Sequence, residues 1–285
     1  MLKVKTQTSN FLVETIDSSD STSEYRFAHV TGLSENVTHP FIRDRVSGVY
    51  SELPFARAIS LGQNSVGFGI RGLDLKQFRD KEARATVAAT RLSVLRASAK
   101  DNEKHILTGT SMGSIVVADM VEQNFRSDSP LDIAGVVLFG PALHTDKNHV
   151  IKNAIPFARQ LIGDASRDLM TQSPRKLLKR SRGLVSWSGE AILALPHIIH
   201  QLGEIITASE VSTLHKTFET IPTVAVYGNK DDIVAHTLMQ LMHDSYPAMF
   251  GRVIVPDKGH ELLFDTELAV QSLVSGIQQS HMLRQ

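Results

Sequence analysis

One turn constrains the fold of this chain more than any other feature. Residues 109–113 read Gly-Thr-Ser-Met-Gly, between a short apolar run at 106–108 and a helix-like run at 114–121. A backbone that reverses so sharply from strand to helix strains its central residue, and only small residues two positions away let the chain pass so close to itself. We therefore predict a turn that presents the Ser111 hydroxyl at the carboxyl edge of a sheet. The alternative is an ordinary turn in which Ser111 caps a helix starting near Met112.

Two later loops carry the groups that would make this serine reactive. A serine hydroxyl is a weak nucleophile at neutral pH, so it needs a histidine to accept its proton and a carboxylate to orient that histidine. Gly-Asn-Lys-Asp-Asp at 228–232 follows the apolar run 223–227, and Gly-His at 259–260 follows the next apolar run, 252–255. Serine, aspartate and histidine thus occur in that order, each after a predicted strand. A further histidine, His236, is expected to be a solvated residue that opens a helix.

This order of residues resembles the α/β-hydrolase superfamily, and the resemblance covers most of the chain. The family's acid motif, Gly-x-x-Asp-x-x-Val, falls on Gly228 and makes Asp231 the catalytic acid, with Asp232 as its neighbour. The family's Gly-His pair before the last helix makes His260 the catalytic base. Ser111, at the centre of the Gly-x-Ser-x-Gly turn, is then the nucleophile.

The resemblance also implies an oxyanion hole made of two backbone N–H groups. One comes from the residue after the nucleophile, Met112. The other comes from the loop after the third strand, where Thr-Gly-Leu at 31–33 resembles the family's His-Gly-x loop and makes Leu33 the donor. A plain glycine turn is the alternative at this loop. Two departures indicate a divergent member: Ser114 replaces a second glycine, and the segment 60–64 lacks the expected aspartate.

Alternating strand and helix patterns predict an α/β fold with a mostly parallel central sheet, helices on both faces and an antiparallel N-terminal ribbon. The predicted strands lie at 2–8, 11–17, 25–31, 56–61, 105–109, 132–139, 222–227 and 251–256. The clearest helices run from 83 to 95 and from 267 to 277. The resemblance makes this the α/β-hydrolase fold, with residues 1–141 and 222–285 as its core domain.

Residues 142–221 interrupt this alternation, because they carry helical patterns without a convincing strand. The family commonly inserts a lid at this point, so we expect 142–221 to form a helical lid. Its most apolar part, 189–202, contains Pro196, which kinks or splits a helix. We expect Leu193 and Ile199 in this part to line an acyl-binding wall. The alternative is that the apolar face simply packs on the core domain.

Composition narrows the classes of protein further. With 285 residues and 42% hydrophobic content, the chain can bury a large core. Its formal net charge is zero, which gives no electrostatic basis for binding nucleic acid. It has no cysteine, which excludes disulfides, a cysteine nucleophile and cysteine metal ligands. We expect no cofactor and no metal. Without an apolar signal core or a long apolar run, the chain is predicted to be cytoplasmic and to have no transmembrane segment.

These features together predict a serine hydrolase that cleaves a carboxylic ester or thioester of a small or medium acyl substrate through an acyl-enzyme. The partner is then a small-molecule ester or thioester. An acyltransferase or a C–C bond hydrolase with the same triad is one alternative. A catalytically silent member of the fold that binds a ligand or a protein is another. The sequence leaves the oligomeric state open.

Overall fold

A computed structural model describes residues 2–5, 10–16, 24–32, 40–53, 57–61, 81–143, 219–232, 234, 236–260, 262 and 265–279. The strands are β1 (Leu2–Lys5), β2 (Asn10–Ile16), β3 (Tyr25–Val30), β4 (Arg57–Leu61), β5 (Lys104–Thr110), β6 (Ile133–Phe139), β7 (Thr223–Gly228) and β8 (Phe250–Val255). The helices are α1 (Pro40–Ser51), α2 (Lys81–Ser98), α3 (Gly113–Phe125), α4 (His236–Ser245) and α5 (Thr266–Gln279). No helix within these ranges is long and apolar enough to cross a membrane.

All eight strands join one sheet, in the order β1-β2-β4-β3-β5-β6-β7-β8. Every pair from β4 to β8 is parallel. At the other edge, β1 pairs antiparallel with β2, and β2 pairs antiparallel with β4. Each strand overlaps one predicted from the sequence. The predicted α/β class with a mostly parallel sheet is therefore confirmed.

Helix α1 is the one described helix that lies where the sequence patterns placed none. It begins at Pro40, a residue favoured in the first turn because it lacks the N–H that would have no partner there. Its buried side chains Val46, Val49 and Tyr50 lie on one face, at helical spacing. Gly48 and the β-branched valines lower the helix propensity of this segment, so packing against the sheet stabilises it.

The helices cover both faces of the sheet, and alternate residues of each strand point to opposite sides. In β5, Ile106 belongs to the apolar cluster that contains buried residues of α1 and α5. The next residue, Leu107, belongs to the cluster on the other face, with residues of α2, α3 and α4. The core therefore has two layers that share the same strands.

The strand order reverses next to β3. After β3 the chain adds β4 on one side of it, and then returns to add β5 on the other side. The loops after β3 and β5 therefore leave in opposite directions, which opens a crevice at the carboxyl edge where ligands bind in folds of this type. Thr31 and Ser111, the first residues after these two strands, lie at that crevice.

A buried polar cluster joins α1 to the sheet beneath this crevice. The Nδ1 atom of His29 lies 2.9 Å from the Tyr50 hydroxyl and 3.1 Å from the Thr108 hydroxyl. Those two hydroxyl groups are also hydrogen-bonded to each other. The His29 side chain is completely buried. Burial lowers the pKa of His29 from 6.5 to about 3, because the charged imidazole loses its hydration.

We expect this histidine to make the fold sensitive to acid. In the unfolded chain His29 takes up a proton near pH 6.5, whereas in the folded chain it stays neutral down to about pH 3. Stability is therefore lost as the pH falls below 6.5, by about 2 kcal/mol between pH 7 and pH 5. His29→Asn should remove this part of the pH dependence. Urea unfolding of both proteins at the two pH values measures it, and equal pH dependence in both would contradict the assignment.

Candidate active site

The turn between β5 and α3 has the strained geometry that its sequence predicts. Ser111 has a φ of 50°, a left-handed value that is uncommon outside glycine. A Cβ atom on Gly109 would lie 2.8 Å from the backbone carbon of Gly113, and a Cβ atom on Gly113 would lie 2.3 Å from the carbonyl oxygen of Val30. Neither position has room for a side chain. The two glycines therefore allow the backbone contacts that hold Ser111 in this conformation.

The Ser111 side chain points to a histidine and does not cap the helix. Its hydroxyl oxygen lies 2.8 Å from Nε2 of His260, within hydrogen-bonding distance. Met112 takes the N-cap position of α3, and no side chain caps that helix end. The Ser111 N–H donates to the carbonyl of Phe139 at 2.8 Å, which ties the turn to β6. The hydroxyl is thus presented at the carboxyl edge of the sheet, beside an imidazole.

Asp231 lies on the other side of the same imidazole. The Nδ1 atom of His260 is 2.9 Å from Oδ2 and 3.1 Å from Oδ1 of Asp231. Both side chains are buried, with 2% or less of each exposed. The Val234 N–H also donates to Oδ1 of Asp231, at 3.1 Å. The neighbouring Asp232 is exposed. Of the two adjacent aspartates, Asp231 is therefore the one that contacts His260.

Backbone contacts fix the acid loop, residues 228–232, against the histidine loop, residues 256–260. The Lys230 N–H donates to the carbonyl of Lys258 at 3.0 Å, and the Asp257 N–H donates to the Asn229 side chain at 2.8 Å. A Cβ atom on Gly228 would lie 2.0 Å from the carbonyl oxygen of Lys258, so these two loops pass at the closest approach that glycine permits. These contacts therefore hold the two loops that carry Asp231 and His260 next to each other.

Two contacts near the imidazole were not indicated by the sequence. A Cβ atom on Gly140 would lie 3.0 Å from Nδ1 of His260, so the residue after β6 must be small. His236, expected to be solvated, does open α4 as predicted. Its side chain, however, is half-buried, and its Nε2 lies 2.9 Å from the carbonyl oxygen of Asp231. The Gly-Pro pair directly after β6 could have indicated the contact of Gly140 with His260. No sequence motif indicates the contact of His236 with the Asp231 carbonyl.

The predicted oxyanion donors are described in part. Met112 is buried beside Ser111, and no acceptor for its backbone N–H lies within the residues that the structure describes. Leu33, the second predicted donor, lies outside the described residues. So do Leu193 and Ile199, together with nearly all of the predicted lid segment 142–221. Thr31, which precedes the predicted Leu33 donor by two residues, is buried at the end of β3.

The arrangement has a defined chemical capacity. A neutral imidazole can accept the serine proton at Nε2 while its Nδ1–H donates to a carboxylate. That carboxylate stabilises the imidazolium formed when the proton moves, and it holds the ring in the tautomer that leaves Nε2 free to accept. Ser111, His260 and Asp231 have the hydrogen-bond order that this proton transfer requires.

The fold and this site define the chain as an enzyme of the α/β-hydrolase superfamily, and a family match places it further. Residues 87–267 match the model of the family described as serine aminopeptidase, S33. The match covers more than half of the chain. The chain belongs to the serine aminopeptidase S33 family. A search among curated proteins finds no significant match.

Solved structures share the fold over nearly the whole length. A carboxylesterase structure from Nitrososphaera gargenis is 11% identical, with 99% of each chain covered and a TM-score of 0.64. An esterase from Thermogutta terrifontis, solved with malate bound, is 18% identical, with 99% of this chain and 100% of that chain covered and a TM-score of 0.59. At such low identity the likeness concerns the fold.

The space around Gly113, in the crowded turn, and around Gly48, in α1, predicts opposite effects of alanine on stability. Gly113→Ala should destabilise the protein by about 1 to 3 kcal/mol, because the added methyl group meets a backbone carbonyl that cannot move freely. Gly48→Ala, inside α1, should stabilise it by about 0.5 to 1 kcal/mol, since its methyl group would only reach ordinary contact distance from Thr266. Denaturant unfolding of both variants measures the contrast. A stable Gly113→Ala protein would show that the turn does not need glycine.

Proposed function

We propose that this protein is a serine hydrolase that cleaves a carboxylic ester or thioester of a small or medium acyl substrate. The observation that carries the proposal is the 2.8 Å contact between the Ser111 hydroxyl and Nε2 of His260. Hydrogen bonding to a base is what makes a serine hydroxyl nucleophilic at neutral pH. The buried carboxylate of Asp231 on the far side of the ring supports the same assignment.

Acylation begins when His260 takes the hydroxyl proton and the Ser111 oxygen attacks the carbonyl carbon of the substrate. The tetrahedral intermediate places a negative charge on the former carbonyl oxygen. In the proposal, the N–H groups of Met112 and Leu33 bind this oxyanion, and Leu33 is assigned from the sequence resemblance. His260 then gives its proton to the leaving alcohol or thiol, and an acyl-serine remains.

Deacylation repeats these steps with water as the nucleophile. His260 accepts a proton from water, the resulting hydroxide attacks the acyl-serine, and the Ser111 oxygen leaves with the proton from His260. Asp231 stays ionised throughout and stabilises the imidazolium in both halves of the cycle. The net reaction consumes one water and releases a carboxylic acid together with the alcohol or thiol.

The comparisons support an ester substrate without defining it. The two structural neighbours described above carry the names carboxylesterase and esterase, while the family name refers to an aminopeptidase. The same acyl-enzyme chemistry cleaves the ester bond of an esterase substrate and the amide bond of an aminopeptidase substrate. An assay panel should therefore contain short aryl esters, a thioester and an aminoacyl amide. In the proposal, the segment 142–221 with Leu193 and Ile199 lines the acyl site and sets the preferred chain length.

A fluorophosphonate probe tests the nucleophile directly. The probe should label the protein at Ser111, because it reacts with serines activated by a neighbouring base. Ser111→Ala should lose the label and should lower kcat for a short activated ester by at least about three orders of magnitude. Ser114→Ala is a matched control, since the Ser114 hydroxyl is buried and lies near the carbonyl of Gly109. That variant should keep the label.

Mass spectrometry locates the label, and circular dichroism verifies that each variant is folded. Labelling of a folded Ser111→Ala protein, or a fully folded wild-type protein that takes up no label, would overturn the proposal. The second result would favour a silent binding member of the fold.

The adjacent aspartates provide a second test. Asp231→Asn should lower kcat by about four orders of magnitude, because the neutral amide favours the wrong tautomer of His260. Asp232→Asn should stay within a few-fold of wild type, since the Asp232 side chain is exposed. The double variant shows whether Asp232 partly replaces its neighbour when Asp231 is lost. If Asp232→Asn were the more damaging change, the acid would have been assigned to the wrong residue.

A further inference from the structure

The loop that carries Asp231 is closed by hydrogen bonds at the carboxylate, the backbone carbonyl and the backbone N–H of this residue, the last of which donates to the carbonyl of Gly228 at 3.2 Å. Its carboxylate faces His260 and also accepts the Val234 N–H at 3.1 Å. Its backbone carbonyl lies 2.9 Å from Nε2 of His236. The ring of His236 thus contacts the backbone carbonyl of Asp231, which lies five residues earlier in the sequence.

The ring of His236 is itself fixed against the sheet. It meets the ring of Tyr227 edge to face, with 5.0 Å between the ring centroids. Tyr227 is completely buried in β7, immediately before the acid loop. The His236 backbone N–H donates to the carbonyl of Val234 at 2.9 Å, at the point where α4 begins. His236 therefore links three parts of the molecule: the sheet, the acid loop and the helix that follows.

We propose that His236 is a positioning residue for Asp231, and the inference rests on the function proposed above. A carbonyl can only accept, so Nε2 of His236 carries the proton and donates it to the Asp231 oxygen. This bond holds the Asp231 backbone at the distance from which its carboxylate reaches His260. Without it, the main-chain bonds of Lys230 and Asp231 still hold the loop, but the peptide group of Asp231 loses a bond and its carboxylate can shift relative to His260. Misplacement by about 1 Å costs on the order of 100-fold in rate.

His243 offers a matched control on the same helix. Its Nδ1 lies 2.8 Å from the carbonyl oxygen of Phe250, so it also ties α4 to the backbone through an imidazole N–H. This hydrogen bond connects α4 to the first residue of β8 and does not involve the acid loop. Removal of either histidine should therefore cost similar stability, whereas only the loss of His236 should affect the site.

The kinetic test compares His236→Ala, His236→Gln and His243→Ala on a short activated ester. His236→Ala should lower kcat by about 10- to 100-fold with KM within about two-fold, because substrate binding is unchanged and orientation of the base is lost. His236→Gln should recover most of this rate, since its amide nitrogen reaches about as far as Nε2 and can donate to the carbonyl. His243→Ala should keep kcat within about two-fold.

A spectroscopic readout separates this inference from the proposed function. In ¹⁵N-labelled protein, the Nδ1–H proton of His260 reports its hydrogen bond to Asp231 whether or not any ester is cleaved. This resonance should move or broaden in His236→Ala and stay unchanged in His243→Ala. A wild-type protein that shows the resonance but takes up no fluorophosphonate would reject the hydrolase function alone.

Three results would overturn the positioning role. The first is an unchanged resonance and rate in His236→Ala. The second is an equal loss of rate in His243→Ala, which would indicate a general effect of stability. The third is used if His236→Ala does not fold, and it compares His236→Asn with His236→Gln. The Asn side chain is one methylene too short to reach the Asp231 carbonyl, so equal rates in these two variants would contradict the role. The expected result is that Asn is impaired and Gln is active.

Discussion

A contact between two stretches of backbone determines where the proposed nucleophile can lie. Gly113, at the start of α3, packs so tightly on the carbonyl of Val30 that a methyl group there would be only 2.3 Å away. The Ser111 N–H is bonded to Phe139 on the other side. The turn is thus held by both neighbours of β5, and this support maintains a backbone conformation that would relax in an isolated segment.

The same mode of support continues across the carboxyl edge of the sheet. The Gly140 N–H donates to the carbonyl of Val226, and the Lys230 N–H donates to that of Lys258, so each loop is bonded to the next. Main-chain bonds therefore hold together the loops that carry the three proposed catalytic side chains. A site built in this way is organised before any substrate arrives, which is the condition under which fixed dipoles and bases contribute most.

Local patterns made much of this architecture predictable. The observed strands lie within a few residues of the apolar runs that predict them. The glycines around Ser111 indicate the turn because the close backbone approach between the two involves residues near in sequence. The spacing from Gly228 distinguished Asp231 from Asp232. Helix α1 was not predicted, since its weak propensity is overcome by packing on the sheet. The contact of His236 with a backbone carbonyl was also unpredictable, because any residue at position 231 would offer the same carbonyl.

The proposed nucleophile and its base are 149 residues apart in sequence, whereas the acid and the base are only 29 apart. During synthesis, the turn that holds Ser111 leaves the ribosome long before β7 and β8 exist. A growing chain therefore carries Ser111 before His260, its proposed base, has been made. Pairing of β8 with β7 brings His260 to the carboxyl edge of the sheet, so the contact on which the proposed function depends forms only when this last strand has paired.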